Sequence, residues 1–242
     1  MYNSNKSKIN LNTLLFILIT LVPISFVFRS LTINLNVILI SVITIFIILK
    51  EDFSKFFKDK FIIYIFTFFL FILINSLINY NGIEIVLKSI GNFRYLLLSA
   101  AVFYVLQKAT KEQKKFLIYF NVILIILISA DIFYQYFTYK NIFGFAPGMC
   151  NQSVLPMECE RFSGVFKDEL IGGGYLSQIG LLFFLLFYFI DEKKSSILNK
   201  NYILFLGLFI TIILSGERNA ALIFILSILI SLFFQKKLLK IF

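Results

Sequence analysis

Long apolar runs, broken by short charged or polar stretches, set the pattern of this chain. They lie at Leu11–Phe28, Ile33–Leu49, Phe61–Asn79, Asn92–Leu106, Phe116–Phe137, Gly173–Ile190, Tyr202–Ser215 and Asn219–Phe234. Each approaches the roughly 20 residues that a helix needs to cross a bilayer. The fourth and seventh are shorter and draw on flanking residues. The pattern predicts an all-α polytopic membrane protein of about eight transmembrane helices, a single integral-membrane domain over residues 1–242. The first run reads as an anchor rather than a cleaved signal. Lys6 and Lys8 precede it, no small-x-small site follows Phe28, and a second run comes at once.

Charge orients these spans. With the N-terminus inside, the inner segments are 1–10, 50–60, 107–115, 191–201 and 235–242. They hold sixteen lysines, no arginine and six acids, which accounts for the whole net charge of +10. The remainder balances to zero. This is the distribution expected when basic residues stay on the cytoplasmic side. It predicts both termini inside, and it explains the basic balance without nucleic acid.

The same count sorts the two kinds of cation. Arg29, Arg94, Arg161 and Arg218, the only arginines, all fall on the outer side. A guanidinium fork grips phosphate with two parallel hydrogen bonds, whereas an ammonium acts as a hydrated point charge. The split points to an extracytoplasmic site for a phosphorylated ligand. His is absent, which removes the commonest acid–base group at neutral pH and disfavours a zinc or iron site. No metal or cofactor is expected.

Four outer connections follow. The first is a tight turn at Arg29–Thr32. The second, Tyr80–Gly91, carries Glu84 and Lys88. The third, Thr138–Gly172, is a periplasmic loop over residues 138–172, and loops longer than about 12–15 residues are usually functional or disordered. It holds Cys150 and Cys159, the only cysteines, on the oxidising side, where they either pair or remain two thiols. It ends in three glycines, Gly172 to Gly174, that open the sixth span. A helix N-terminus there attracts anions; alternatively the glycines form a hinge, with Arg161 paired to Asp168 or Glu169. The fourth connection, Gly216–Arg218, puts Glu217 beside Arg218. That is either an interfacial ion pair or an arginine at the mouth of a cavity. Asp131 lies in the outer half of the fifth span with Gln135 one turn on. An intramembrane acid is a functional candidate; the plain alternative is a hydrogen bond to a neighbouring helix.

Two stretches carry a family resemblance. Arg161-Phe162-Ser163-Gly164 through Asp168-Glu169-Leu170-Ile171-Gly172-Gly173-Gly174, followed by Ser215-Gly216-Glu217-Arg218-Asn219-Ala220, resembles the O-antigen ligase and polymerase superfamily of bacterial envelope enzymes. Asp131 to Phe137, leading to Ile142-Phe143-Gly144, is similar to that family's fifth span and the entry to its following loop. The resemblance implies a metal-independent, inverting glycosyltransferase of the inner membrane, involved in lipopolysaccharide or other polysaccharide biosynthesis. Its donor would be a glycan on polyprenyl (undecaprenyl) diphosphate, and its acceptor lipid A–core or another growing glycan, among membrane lipids and on the periplasmic face. Arg161 and Arg218 match the motif arginines that would hold the diphosphate, with Arg94 a weaker match. Asp131, Gln135, Asp168, Glu169, Gly172 and Glu217 would support them. Members have about a dozen spans and a second large loop bearing an essential histidine. This chain has neither, so it is expected to be the N-terminal part of a longer family fold, and no catalytic residue is assigned. The rival readings are a transporter or flippase for a lipid-linked or anionic solute, and a non-catalytic remnant that binds a partner.

Overall fold

The computed structural model describes residues 11–50, 60–79, 82–151, 158–167, 169, 171–190 and 197–238. They are mostly helical, with one two-stranded ribbon and irregular connections, and each apolar run is mainly helical over its described residues. The chain divides into two compact units, Met1–Lys111 and Glu112–Phe242.

In the first unit, α1 (Leu11–Thr20) and α2 (Val22–Val27) share the first apolar run. Pro23, in the first turn of α2, has no N–H to donate to the preceding turn, so the ladder breaks there. The chain then reverses at Arg29, whose φ is +75°, and α3 (Arg29–Lys50) begins. The expected turn is therefore concentrated at one residue. α3 packs against α1, α2 and α6 (Phe93–Lys108), burying Leu15, Val37, Ile40 and Ala101. Asn36 Nδ2 donates to Leu18 O at 3.2 Å and ties α3 to α1. α4 (Lys60–Ile78) packs on α6 and on the short helix Ile83–Gly91.

Most of the connection expected at Tyr80–Gly91 is a helix, α5 (Ile83–Gly91). Its charges favour this. Glu84 sits in the first turn and Lys88 in the last, four residues apart, which suits both the helix dipole and a side-chain pairing. With α6 it forms one apolar stretch, Ile83–Lys108.

The second unit opens with the longest helix, α7 (Lys111–Thr138). The ribbon follows: β1 (Gly148–Asn151) and β2 (Glu158–Arg161) run antiparallel. After a 3-10 turn at Gly164–Phe166, a helix starts as α8 (Gly172–Tyr175) and widens into a π turn at Leu176–Gly180. It continues as α9 (Leu181–Ile190). α10 (Ile197–Leu214) and α11 (Arg218–Leu238) complete the unit. Its core holds Ile125, Ile132, Leu176, Ile212 and Phe224. Gly180 sits in ordinary van der Waals contact with this core: a Cβ there would touch Ile125 at 3.4 Å and Leu208 at 3.5 Å.

Among the described residues, three stretches are long and apolar enough to cross a membrane: Arg29–Lys50, Ile83–Lys108 and Lys111–Thr138. Together with the shorter apolar helices they mark a membrane-associated protein.

Candidate anion-binding site

The loop between α7 and α8 is held by a group of buried polar side chains. Asn141 is its hub. Its Oδ1 accepts from the N–H of Phe143 at 3.0 Å and of Phe145 at 2.8 Å, and its Nδ2 donates to Gly164 O at 2.9 Å. Gln135 spans the same two segments. It donates to Phe145 O at 3.2 Å and accepts from Gly164 N at 2.8 Å. Asp131 accepts from Ile142 N at 2.8 Å through Oδ1, while its buried Oδ2 has no partner among the described residues. Asp131, Gln135 and Asn141 are at most 2% exposed. Asp131 and Gln135 thus act as supports for the loop. Asn141 was not singled out from the sequence. An asparagine three residues before a glycine, just past a helix end, was the available signal.

Gly164 shows why this arrangement is specific. Its φ is +58°, a region that favours glycine, and a Cβ there would lie 2.7 Å from Ile132 Cγ1 and 2.9 Å from Asp131 Oδ2. Three residues before it, Arg161 ends β2. Phe162 N donates to Ser215 O at 3.2 Å, which fastens this end of β2 to the turn between α10 and α11. Phe162 also packs edge-on against Tyr136 of α7, with ring centroids 5.1 Å apart.

That turn carries Glu217, and its carboxylate has a definite partner. Oε1 accepts from Gly173 N and Oε2 from Gly174 N, each at 2.9 Å. The expectation that the glycine-led helix start attracts an anion is met from inside the molecule, because the anion is Glu217. The glycines are needed for this approach. A Cβ on Gly173 would collide with Ser215 Oγ and lie 3.0 Å from Glu217 Cβ. A Cβ on Gly172 would press on Ile132 and on Ser163 O at 3.2 and 3.3 Å. Ser215 is almost fully buried and emerges here as part of the site.

Arg161 and Arg218 line one cavity of about 980 Å³, together with Ile213, Gly216, Glu217, Asn219 and Ala221. Arg161 is half-buried and Arg218 exposed. Neither side chain makes a hydrogen bond or ion pair with another described residue. The Glu217–Arg218 pairing envisaged from the sequence is absent, and no Arg161–Glu169 pair forms. With both Glu217 oxygens occupied by backbone N–H groups, the cavity presents two guanidinium groups with free donors. Arg218 is also the first residue of α11, so the positive end of that helix adds to the field.

The other expected residues are placed as follows. Arg94 belongs to the first unit, where its guanidinium stacks on the Tyr95 ring at 5.0 Å. Asp168 lies outside the described residues. Cys150 stands opposite Cys159 in the ribbon register, and their side chains lie outside the described atoms. Among the described residues, no group of three or more His, Cys, Asp or Glu side chains could hold a metal ion. No protein-family model, curated protein or solved structure matches the chain.

Proposed function

We propose that the Arg161–Arg218 cavity holds the diphosphate of a polyprenyl-linked glycan. In this reading the chain belongs to the glycan-transfer machinery of the O-antigen ligase or polymerase kind. One observation carries it: two arginines that are 57 positions apart in sequence line the same cavity, with no acidic partner among the described residues. A pair of guanidinium groups fits the bidentate geometry of phosphate oxygens. The reading takes the chain as eight spans with both termini cytoplasmic and the cavity on the periplasmic side of the inner membrane. The basic residues support that topology, because every lysine-rich segment then faces inward.

In such a transfer an acceptor hydroxyl attacks the anomeric carbon, the bond to the diphosphate breaks with inversion, and the hydroxyl proton passes to the departing diphosphate or to water. Arg161 and Arg218 neutralise the charge that builds on the departing diphosphate. Glu217 serves the structure, since its two carboxylate oxygens accept the backbone N–H groups of Gly173 and Gly174.

The test is binding of a lipid-diphosphate-linked oligosaccharide to the protein in nanodiscs. Wild type should bind, and Arg161→Ala and Arg218→Ala should each weaken binding by about tenfold or more, the scale of a charge-assisted pair. Equal affinity in all three proteins would sink the clamp. Movement of the lipid between leaflets of reconstituted vesicles, without glycan transfer, would favour a flippase instead.

A further inference from the structure

The segment Tyr139–Phe145 directly follows α7 and is irregular, yet each of its backbone N–H groups has an acceptor. Tyr139 donates to Gln135 O, Asn141 to Phe145 O and Gly144 to Asn141 O. Lys140 donates to Thr138 Oγ1, Ile142 to Asp131, and Phe143 and Phe145 to Asn141. A loop in water has no need of such complete pairing. Irregular backbone near a bilayer does, because lipid offers no acceptors.

The segment also turns back along the helix. Ile142 N reaches Asp131, seven residues before the end of α7, which is about 10 Å along the axis at about 1.5 Å per residue. A 28-residue helix is about 42 Å long. Centred on a hydrocarbon core of about 30 Å, it emerges about 6 Å at each end. The Ile142 backbone therefore lies about 4 Å inside the hydrocarbon boundary on the same scale. Ile142 and Phe143 are nonetheless 66% and 69% exposed.

Their surface continues the outward face of a helix long and apolar enough to span. Leu127 and Tyr134, four residues before and three after Asp131, share its side of α7 and are also exposed. Lys140 is exposed, and Lys167 stacks its ammonium 3.8 Å from the Phe145 ring. Such side chains reach from apolar surroundings to headgroup phosphates.

We infer that Tyr139–Phe145 is seated at the headgroup–acyl boundary of the leaflet at that end of α7, with Ile142 and Phe143 among the lipid chains. The inference needs only that α7 crosses the bilayer, and it holds whatever the cavity binds.

The chain has no tryptophan, so one introduced residue becomes the sole indole reporter. Phe143→Trp and, as a mid-helix reference, Ile123→Trp should be reconstituted in vesicles containing brominated phospholipid, with Ile142→Trp as a second probe of the loop. Trp at 143 should emit at shorter wavelength than in water and lose about half or more of its intensity to bromines near the glycerol end, as expected for an interfacial indole. Bromines midway down the chain should quench it less and the Ile123→Trp protein more, and aqueous iodide should have little effect on either. Iodide quenching of both loop probes, with Ile123→Trp still quenched by bromolipid, overturns the inference while leaving the span intact. If no probe responds to bromolipid, α7 does not cross the bilayer and the inference falls with it.

Discussion

Two helices begin at Glu217's reach and treat their exposed first turns in opposite ways. The one starting at Gly172 receives a carboxylate from the protein, with Gly173 N and Gly174 N each 2.9 Å from Glu217. The one starting at Arg218 carries a cation at its first position. Its first i→i−4 bond is from Ala221 to Glu217 O, so the N–H groups of Arg218, Asn219 and Ala220 precede the ladder. A cation at the positive end of a helix is unfavourable by a few tenths of a kcal/mol or more unless an anion joins it. The first helix start is complete as it stands. In the proposed reading, the second becomes favourable when a ligand supplies the missing negative charge. A helix start that the fold has already filled is a structural joint; one left open is a candidate for a ligand.

The strongest blow to this contrast is Gly173→Ala. The new methyl must displace Ser215 Oγ and the Glu217 side chain, and overpacking of this kind costs about 1–3 kcal/mol. The loss of both carboxylate bonds adds to that, so the thermal unfolding midpoint in detergent should fall further than for any other change here. Gly174→Ala, facing only Glu217 Oε2 at 3.3 Å, should be much milder; equal losses would show that the close approach is unimportant.

Glu217→Ala comes next. It frees two N–H groups and should lower stability by about 2–3 kcal/mol, the scale of hydrogen bonds to a charged group. It also converts the filled helix start into an empty one, so inorganic phosphate should raise the midpoint of the variant by more than that of wild type, where only the Arg161–Arg218 cavity is open to it. A variant that ignores phosphate would break the analogy between the two helix starts.

Arg218→Lys keeps the charge and removes the fork. Affinity for a lipid-linked diphosphate should fall about tenfold while stability holds, because an ammonium cannot reproduce bidentate contact. Unchanged affinity would reduce Arg218 to a general electrostatic role. The smallest effect belongs to Arg94→Lys, whose guanidinium is stacked on Tyr95. Diphosphate affinity should change by less than about fivefold, because the half-buried Arg94 belongs to the first unit and does not line the cavity. A larger loss would restore Arg94 to the clamp.

The sequence made the helices legible because an apolar run of that length has few other stable forms near lipid. It also made the two cavity arginines legible, through their residue type and their place between spans. It hid where Glu217 would go. Beside Arg218 in sequence, it looks like half of an ion pair. Its partners are backbone groups more than 40 positions earlier, reached only because Gly173 lets the two segments close. Asn141 was hidden for a similar reason: its role depends on Gly164 returning to it from 23 positions downstream. Most of the connection at Tyr80–Gly91 is helical, with Glu84 and Lys88 spaced as a helix favours.

The π turn at Leu176–Gly180 has a consequence for how the Gly172 end of this helix is aimed. A π turn takes one residue more than an α turn, and one residue is about 100° of rotation on a helix of 3.6 per turn. The two ends of the helix from Gly172 to Ile190 are therefore out of phase. Below the turn, Leu181, Phe183 and Phe184 are buried in the core. Above it, the chain is rotated so that Gly173 and Gly174 meet Glu217. The wide turn works as a fixed offset coupling, letting one helix satisfy the packing of the unit and the geometry of the cavity at once.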